Sequence, residues 1–316
     1  MDGMDLMMTS GTVACPVCLA GASTLYAVIA DYSYYTCEAC GSIHVAPDVL
    51  AAMDAGAASI GEYGHEYWES EARSALSRAR GLSLCRAGEA ILYCRRPVER
   101  FLDVGTGPGF LLHELQRLLD PDAEVFHGVE KFPPSFAVEA PNFHIGDVGD
   151  APGSFDAGVC IEVVEHLTPK MLDRLAAGLA RVSQPGALWL FNTGMPDYVR
   201  NQDPGYLDPQ RRGHVISYSL KGIAARFERH GFRVEGMPGR NFGFVVERLP
   251  AESIGFDERI YQPLPENRAL LERNGLLYQA AFESARSYYY QGGYEERTRW
   301  ALSLDAELAE RRACAS

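Results

Sequence analysis

Four of the eight cysteines fall into two matched pairs, Cys15-Pro16-Val17-Cys18 and Cys37-Glu38-Ala39-Cys40, separated by 18 residues. Two intervening residues let both thiolates of a pair reach one ion from a single tight turn, and the overall spacing is that of a four-thiolate zinc site. Gly41 after the second pair suits such a knuckle. Paired disulfides, a redox pair or an iron–sulfur site would use the same residue type. Disulfides fit poorly with a chain expected in the cytoplasm, and a redox pair more often stands alone in a βαβ setting. With Cys15, Cys18, Cys37 and Cys40 filling all four tetrahedral positions, the expected zinc is structural and performs no chemistry. Residues 23–30 and 32–36 read as the strands of a zinc ribbon. Cys85, Cys94, Cys160 and Cys314 lack ligand spacing and read as buried or incidental thiols.

A second set of residues suits a nucleotide-like ligand. Asp103-Val104-Gly105-Thr106-Gly107-Pro108-Gly109 lies between an apolar strand predicted over 100–104 and a helix predicted over 111–119. Glycines on such a turn lack the Cβ atoms that keep a ligand off the backbone, and the N–H groups of the helix start favour an anionic group. The third glycine comes one residue too early for the dinucleotide pattern, and Asp103 stands two residues before the first. Glu130 ends a strand predicted over 124–129 and lies 25 residues after Gly105, near the distance at which a carboxylate accepts from ribose hydroxyls. Asp147 follows a strand predicted over 142–145. A fourth strand from 155 ends in Glu162-Val163-Val164-Glu165-His166, at a carboxyl end, where open α/β sheets place their ligands.

The pattern Asp103-x-Gly105-x-Gly107-x-Gly109 resembles the first motif of class I S-adenosylmethionine-dependent methyltransferases. The stretch 155–167 is similar to the strand of their small-molecule members that ends in E-V-x-E-H. The resemblance implies that Gly105, Thr106, Gly107 and Gly109 wrap the methionine end of S-adenosylmethionine, while Asp103 holds the loop and the cofactor's amino group. It further implies that Glu130, with Lys131, binds the ribose, that Asp147, with Val148, faces the adenine, and that Glu162 lies near the cofactor. Glu165 and His166 then stand at the mouth of the substrate pocket. A cysteine ribbon ahead of such a domain is similar to the sugar C-methyltransferases of deoxysugar pathways and to methyltransferases of bacterial glycan and natural-product clusters, over about residues 13–250. After 250 those C-methyltransferases continue into a further domain where this chain has a short helical tail. The expected acceptor is therefore a hydroxyl of a sugar, glycan precursor or natural product, with carbon methylation as the alternative.

Methyl transfer from a sulfonium is an in-line displacement, governed by holding the nucleophile close and collinear with the methyl group, and an alcohol must also lose its proton. His166, beside Glu165, is the first expected general base, because imidazole titrates near neutrality; its alternative role is to cap a helix or line the pocket. His214 is the second. It opens a stretch similar to the H-x-x-x-x-S-x-x-L segment before the last helix of related methyltransferases, in which Ser219 is expected to cap the helix. Tyr63 and Tyr67 are placed to close over the sulfonium, whose charge is drawn to ring faces. His44, His65, His113, His127, His144 and His230 show no ligand spacing, so no second metal is expected.

Hydrophobic residues make up 47% of the 316-residue chain and charged residues 22%, an ordinary globular balance. Alternating strands and helices predict an α/β fold: a doubly wound, mostly parallel seven-stranded sheet with an N-terminal ribbon and a helical C-terminal tail. The later elements are a helix over 171–182, strands over 186–192, 232–235 and 242–247, an irregular substrate loop over 194–212 and a helix over 220–230. The expected organisation is a zinc ribbon over 1–46, a linker with helices over 47–97, the catalytic domain over 98–250 and a helical extension over 251–316, broken at Gly292-Gly293. That extension is expected to pack on the catalytic domain, complete the acceptor pocket or join two copies in a homodimer. No apolar run reaches membrane-spanning length and no basic-then-apolar leader is present, so neither a membrane partner nor export is expected. Net charge is −13, and the residues before Arg73 include ten acids and no lysine or arginine. A nucleic-acid partner, and with it an RNA methyltransferase, is thereby disfavoured. Intact Asp103, Glu130 and Glu165-His166 argue against a non-catalytic interaction module.

Overall fold

A computed structural model describes the backbone of residues 12–57 and 65–315 and the side chains of 12–57 and 72–307. Tyr63 and the side chain of Tyr67 lie outside the described residues. The chain begins with β1 (Val13–Ala14), β2 (Ala22–Ile29), β3 (Tyr32–Cys37) and β4 (Ile43–Val45), then helices α1 (Pro47–Asp54), α2 (His65–Ala79) and α3 (Leu82–Tyr93). Its centre is β5 (Phe101–Val104), α4 (Phe110–Leu119), β6 (Phe126–Glu130), β7 (Phe143–Ile145), β8 (Phe155–Ile161), α5 (Pro169–Val182) and β9 (Ser183–Asn192). There follow α6 (Pro196–Asn201), α7 (Pro209–Arg212), β10 (Ile216–Ser217), α8 (Leu220–Phe227), β11 (Phe232–Gly236) and β12 (Gly243–Arg248). The tail comprises α9 (Phe256–Tyr261), α10 (Pro265–Glu272) and α11 (Gly275–Ala315).

Seven strands form the main sheet in the order β11-β12-β9-β8-β5-β6-β7. β12 runs antiparallel to both neighbours and the other pairs are parallel, which is the doubly wound arrangement expected. Side chains alternate across the strands and both faces are covered: Trp189 and Phe191 enter one core, Leu188 and Leu190 the other. The first core receives Leu172 and Leu179 of α5 and Phe227 of α8, the second Ile91 of α3 and Leu115 of α4. From β5 the chain winds outward through β6 and β7, then returns to β8 on the other side of β5. Loops leaving β5 and β8 diverge at this switch point and open a crevice between them. Val104 pairs with Cys160, so the glycine loop and the Glu162–His166 segment leave neighbouring strand ends.

The ribbon forms a second, antiparallel sheet in the order β1-β2-β3-β4-β10. Its last strand comes from 170 residues further along the chain: Ile216 pairs with His44 and Ser217 with Ile43. Tyr34, Ile43 and Val45 of the ribbon share a buried cluster with Trp189 and Phe227. Arg226 of α8 donates to the carbonyls of Val17 (2.7 Å) and Pro16 (2.5 Å) and pairs with Asp173 (2.7 Å). Ser219 caps α8 as expected, accepting from Gly222 N at 3.0 Å, while its hydroxyl donates to Cys40 O.

Two expectations about local structure are corrected. Residues 194–212 are not irregular throughout: Pro196 and Pro209, whose fixed φ and missing N–H suit a first helical turn, start α6 and α7. Gly292-Gly293 does not break the tail, and α11 runs through it. At Gly292 the helix passes so close to the 238–240 turn that a Cβ would lie 2.6 Å from Gly239 N. Leu277, Ala281 and Ala285 of α11 are buried, whereas Tyr290, Tyr294 and Trp300 are exposed. No helix among the described residues is long and apolar enough to cross a membrane.

Behind the site, Glu89 of α3 is fully buried and accepts from Arg86 (2.7 Å) and from two nitrogens of Arg240 (2.7 and 2.5 Å). Removing it strands two buried guanidinium groups. Glu89→Ala is predicted to lower unfolding free energy by about 3–5 kcal/mol, read as a reduced urea midpoint.

Candidate active site

The glycine loop starts where β5 ends, with Gly105 N and Thr106 N both donating to Val129 O (2.9 and 3.2 Å). Gly105 and Gly109 have φ of +72° and +79°, the left-handed region that side chains resist. A Cβ on Gly105 would lie 2.5 Å from Val163, and one on Gly109 2.5 Å from Val138. At these two positions neighbouring protein atoms also demand glycine. Thr106 Oγ1 donates to Asp103 at 2.6 Å. Glu130 Oε2 accepts from Gly107 N (2.9 Å), and its Oε1 accepts from Lys131 N and Phe132 N (2.8 and 3.0 Å). The carboxylate thus ties the end of β6 to the loop. Lys131 pairs with the exposed Asp147 at 3.0 Å, and Val148 next to it is buried. Burial pushes the Asp103 carboxyl up to about 7, opposed by the Thr106 hydrogen bond and helped by the charge of Glu130.

At the end of β8, Glu162 adopts a left-handed backbone (φ +55°), which is uncommon for a residue with a side chain. Its neighbour on β9 holds it there: Glu162 N donates to Asn192 O (2.9 Å) and Asn192 Nδ2 to Glu162 Oε1 (2.8 Å). Asn192 is in turn fixed by Arg86 Nε at 3.1 Å. A short 3-10 turn, Val164–His166, follows, and Val215 N donates to Glu165 O (2.8 Å), which brings residues 213–215 across it. His166 and His214 meet edge to face with ring centroids 4.8 Å apart. His166 Nδ1 donates to Gly213 O (3.1 Å) and His214 Nδ1 to Tyr206 O (2.7 Å). A carbonyl only accepts, so in each neutral ring Nδ1 carries the hydrogen and Nε2 the lone pair. His214 Nε2 lies 3.9 Å from Glu165 Oε1, the oxygen to which Tyr206 donates at 3.0 Å.

Burial dominates the electrostatics of this cluster. It raises Glu165 and raises Glu162 to about 8, where the nearby Glu165 carboxyl adds to the shift. It lowers His166, and lowers His214 to about 3 with help from His166. A cleft of about 360 Å³ is lined by residues 105–108 of the loop together with Asp103, Glu162, His166 and His214. Arg78, Arg211 and Arg212 also line it. Glu165 lies behind the two histidines, and Glu130, Lys131, Asp147 and Val148 stand outside the cleft beside the loop. Sequence reasoning missed Asn192 and Arg86, and it had Tyr206 only as a member of the expected substrate loop. Tyr206 sits in the segment expected to be a loop, and Arg86 with Glu89 is a charged i, i+3 pair on the otherwise apolar α3, a visible signal of a buried network.

In the ribbon, Sγ of Cys15 lies 3.9 Å from that of Cys40, and Sγ of Cys18 lies 3.7 Å from that of Cys37. Sulfurs on a tetrahedral zinc with bonds of about 2.3 Å stand about 3.8 Å apart. Leu19 N to Cys15 O (3.2 Å) and Gly41 N to Cys37 O (2.9 Å) close two matching knuckles, with left-handed residues at Leu19 and Gly41. Cys85, Cys94 and Cys160 are separate free thiols.

A family model described as a methyltransferase domain matches residues 71–236. The chain belongs to the methyltransferase family. It is an S-adenosylmethionine-dependent enzyme. The comparison with curated proteins finds no match. Solved structures to which the methyltransferase is similar include DesVI from Streptomyces venezuelae, at 18% identity and a TM-score of 0.43, covering 60% of this chain and 99% of that one. They also include SAM-bound CalS10, an amino pentose methyltransferase from Micromonospora echinaspora, at 19% identity and a TM-score of 0.42, covering 60% and 98%.

The buried Asp103 makes stability depend on pH. Its carboxyl titrates near 7 in the fold against a usual 3.8, so its contribution is fully present below about pH 4 and is lost as pH rises towards 7. Asp103→Asn cannot ionise, and its stability relative to the wild type is predicted to improve by about 2 kcal/mol between about pH 5 and about pH 8. Urea unfolding of both proteins at the two pH values checks this; a constant difference would refute it.

Proposed function

We propose that the methyltransferase transfers a methyl group from S-adenosylmethionine to a hydroxyl of a small polar acceptor, a sugar, glycan precursor or natural product. The observation that carries this is a single cleft shared by the glycine loop and the buried Glu162–His166–His214 cluster. S-adenosylmethionine supplies an electrophilic methyl group on a sulfonium. Asp103, through Thr106, holds the loop that receives it. Glu130 Oε2 uses one lone pair on Gly107 N and keeps the other for a ribose hydroxyl. Asp147, steadied by Lys131, takes the adenine amino group. In the cleft, His166 is the proposed proton acceptor for the hydroxyl, since burial keeps its imidazole neutral near pH 7. His214 is the second choice, its orientation fixed by Tyr206 and its position by Glu165. Arg211 and Arg212, the latter held by Asp203 at 2.8 Å, bring positive charge to the cleft wall, which suits the oxygens of a polar acceptor.

Titration calorimetry with S-adenosylmethionine and S-adenosylhomocysteine tests the assignment. Glu130→Ala is expected to weaken both by about tenfold or more, whereas His166→Ala leaves both within about twofold and lowers kcat by about 100-fold or more. Absence of heat with either ligand would sink the proposal, and equal loss in the two variants would reverse the roles.

We also propose that Cys15, Cys18, Cys37 and Cys40 hold one structural zinc. Elemental analysis should find one zinc per chain. Because β4 pairs with β10, chelation should lower Tm and deprotect the amides of residues 215–217. An unchanged Tm after zinc removal would rule out the folding role.

A further inference from the structure

We propose that Glu165, His166 and His214 form a second metal site, for one divalent transition cation such as manganese or iron, on the inner wall of the methyl-transfer cleft. One ligand atom from each residue lies within 4.8 Å of the others. Both imidazoles donate Nδ1–H to a backbone carbonyl, Gly213 O and Tyr206 O. This is the outer arrangement that metal-binding histidines use, since it fixes the tautomer and leaves Nε2 as the ligand. Glu165 Oε1 is steadied by Tyr206, whereas its Oε2 is buried with no hydrogen-bond partner among the described residues. A buried carboxyl oxygen is costly to leave unpaired, and this one is satisfied either by a proton shared with Glu162 or by a bound cation. His214 Nε2 faces Glu165 Oε1 at 3.9 Å, and the gap between that lone pair and the carboxyl oxygen takes either a proton or a cation.

Glu162 adds to the case. Its carboxyl stands within hydrogen-bonding reach of Glu165, and Asn192 holds its Oε1 from the other side. Two carboxyl groups in such proximity need a shared proton or a shared cation. The left-handed backbone of Glu162 turns the chain towards the cluster at the end of β8. Adjacent ligands on an octahedral ion with bonds of about 2.1 Å lie about 3 Å apart, so side chains now within 4.8 Å close by up to about 2 Å around the ion. Two imidazoles with carboxylates favour first-row transition ions over magnesium or calcium. The thiolate ribbon is a different, softer site and does not compete for manganese.

The site deepens the proposed function: a cation here touches the cleft through His166 and His214, where it would polarise an acceptor hydroxyl and ease loss of its proton to solvent, so that with the ion bound His166 serves as ligand and not as base. Its function rests on that proposal; its existence does not. Manganese binding to the full-length, zinc-loaded protein is the test, by electron paramagnetic resonance and equilibrium dialysis. One Mn²⁺ per chain is expected, with His214→Ala and Glu165→Gln each weakening it by about tenfold or more while zinc content and S-adenosylhomocysteine binding are kept. No binding of Mn²⁺ by the wild type at millimolar concentration would overturn the site, as would unchanged affinity in both variants. If Mn²⁺ binds as expected but S-adenosylhomocysteine gives no heat, the methyl-transfer proposal fails and the metal site stands. The opposite result fails the metal site alone.

Discussion

Residues 213–217 are held from two sides at once. On one side β10 pairs with β4 of the ribbon, Val45 N donates to Val215 O and Tyr34 donates to His214 O at 2.7 Å. On the other, Val215 N donates to Glu165 O and Gly213 O accepts from His166. The same short segment is therefore the edge of the ribbon sheet and the backbone that brings His214 to Glu165 and His166. A two-residue strand has little stability of its own. Its position depends on a ribbon whose small core is completed by the cluster that Tyr34, Ile43 and Val45 share with Trp189 and Phe227, while its four cysteine sulfurs converge on one point. The hydroxyl of Ser219, bonded to Cys40 O and capping α8, carries the same dependence to the next helix.

Local patterns made much of this fold legible. Strands buried on both faces appear as apolar runs, and β5, β8 and β9 could be placed within a few residues because glycine, proline or charge ended each run. The cysteine pairs were equally plain, since knuckle geometry is fixed by the residues between two ligands. The glycine loop was recognised, but the reason for two of its glycines was not: Val163 and Val138 are remote in sequence from the atoms they crowd. Gly292-Gly293 misled for a related reason. Glycine lowers helix propensity, yet the tail helix gains close packing against Gly239, and tertiary contact outweighs the propensity.

The parts of the site that escaped the sequence are all products of pairing between distant segments. His214 was named through the stretch it opens, but its approach to Glu165 follows from β10 joining the ribbon, which no periodicity announces. His166 and His214 are far apart in sequence, and only the crossing of residues 213–215 over the 3-10 turn makes them neighbours.

Burial also explains why the chemistry is concentrated where it is. The crevice between β5 and β8 arises from the winding of the sheet, and groups at its floor lose water whether or not they have partners. On α3 the loss is partly offset within the protein, because Glu89 pairs with both Arg86 and Arg240, and Arg86 goes on to fix Asn192 and, through it, Glu162. At Glu165 the offset is incomplete: one oxygen has Tyr206, and the other has no partner among the described residues. The α3 network bonds chiefly within itself, whereas Glu165 shares its burial with the Glu162 carboxyl and the two imidazoles. The burial of that cluster follows from its place at the end of β8, where the winding of the sheet removes it from water while leaving His166 and His214 on the wall of the cleft.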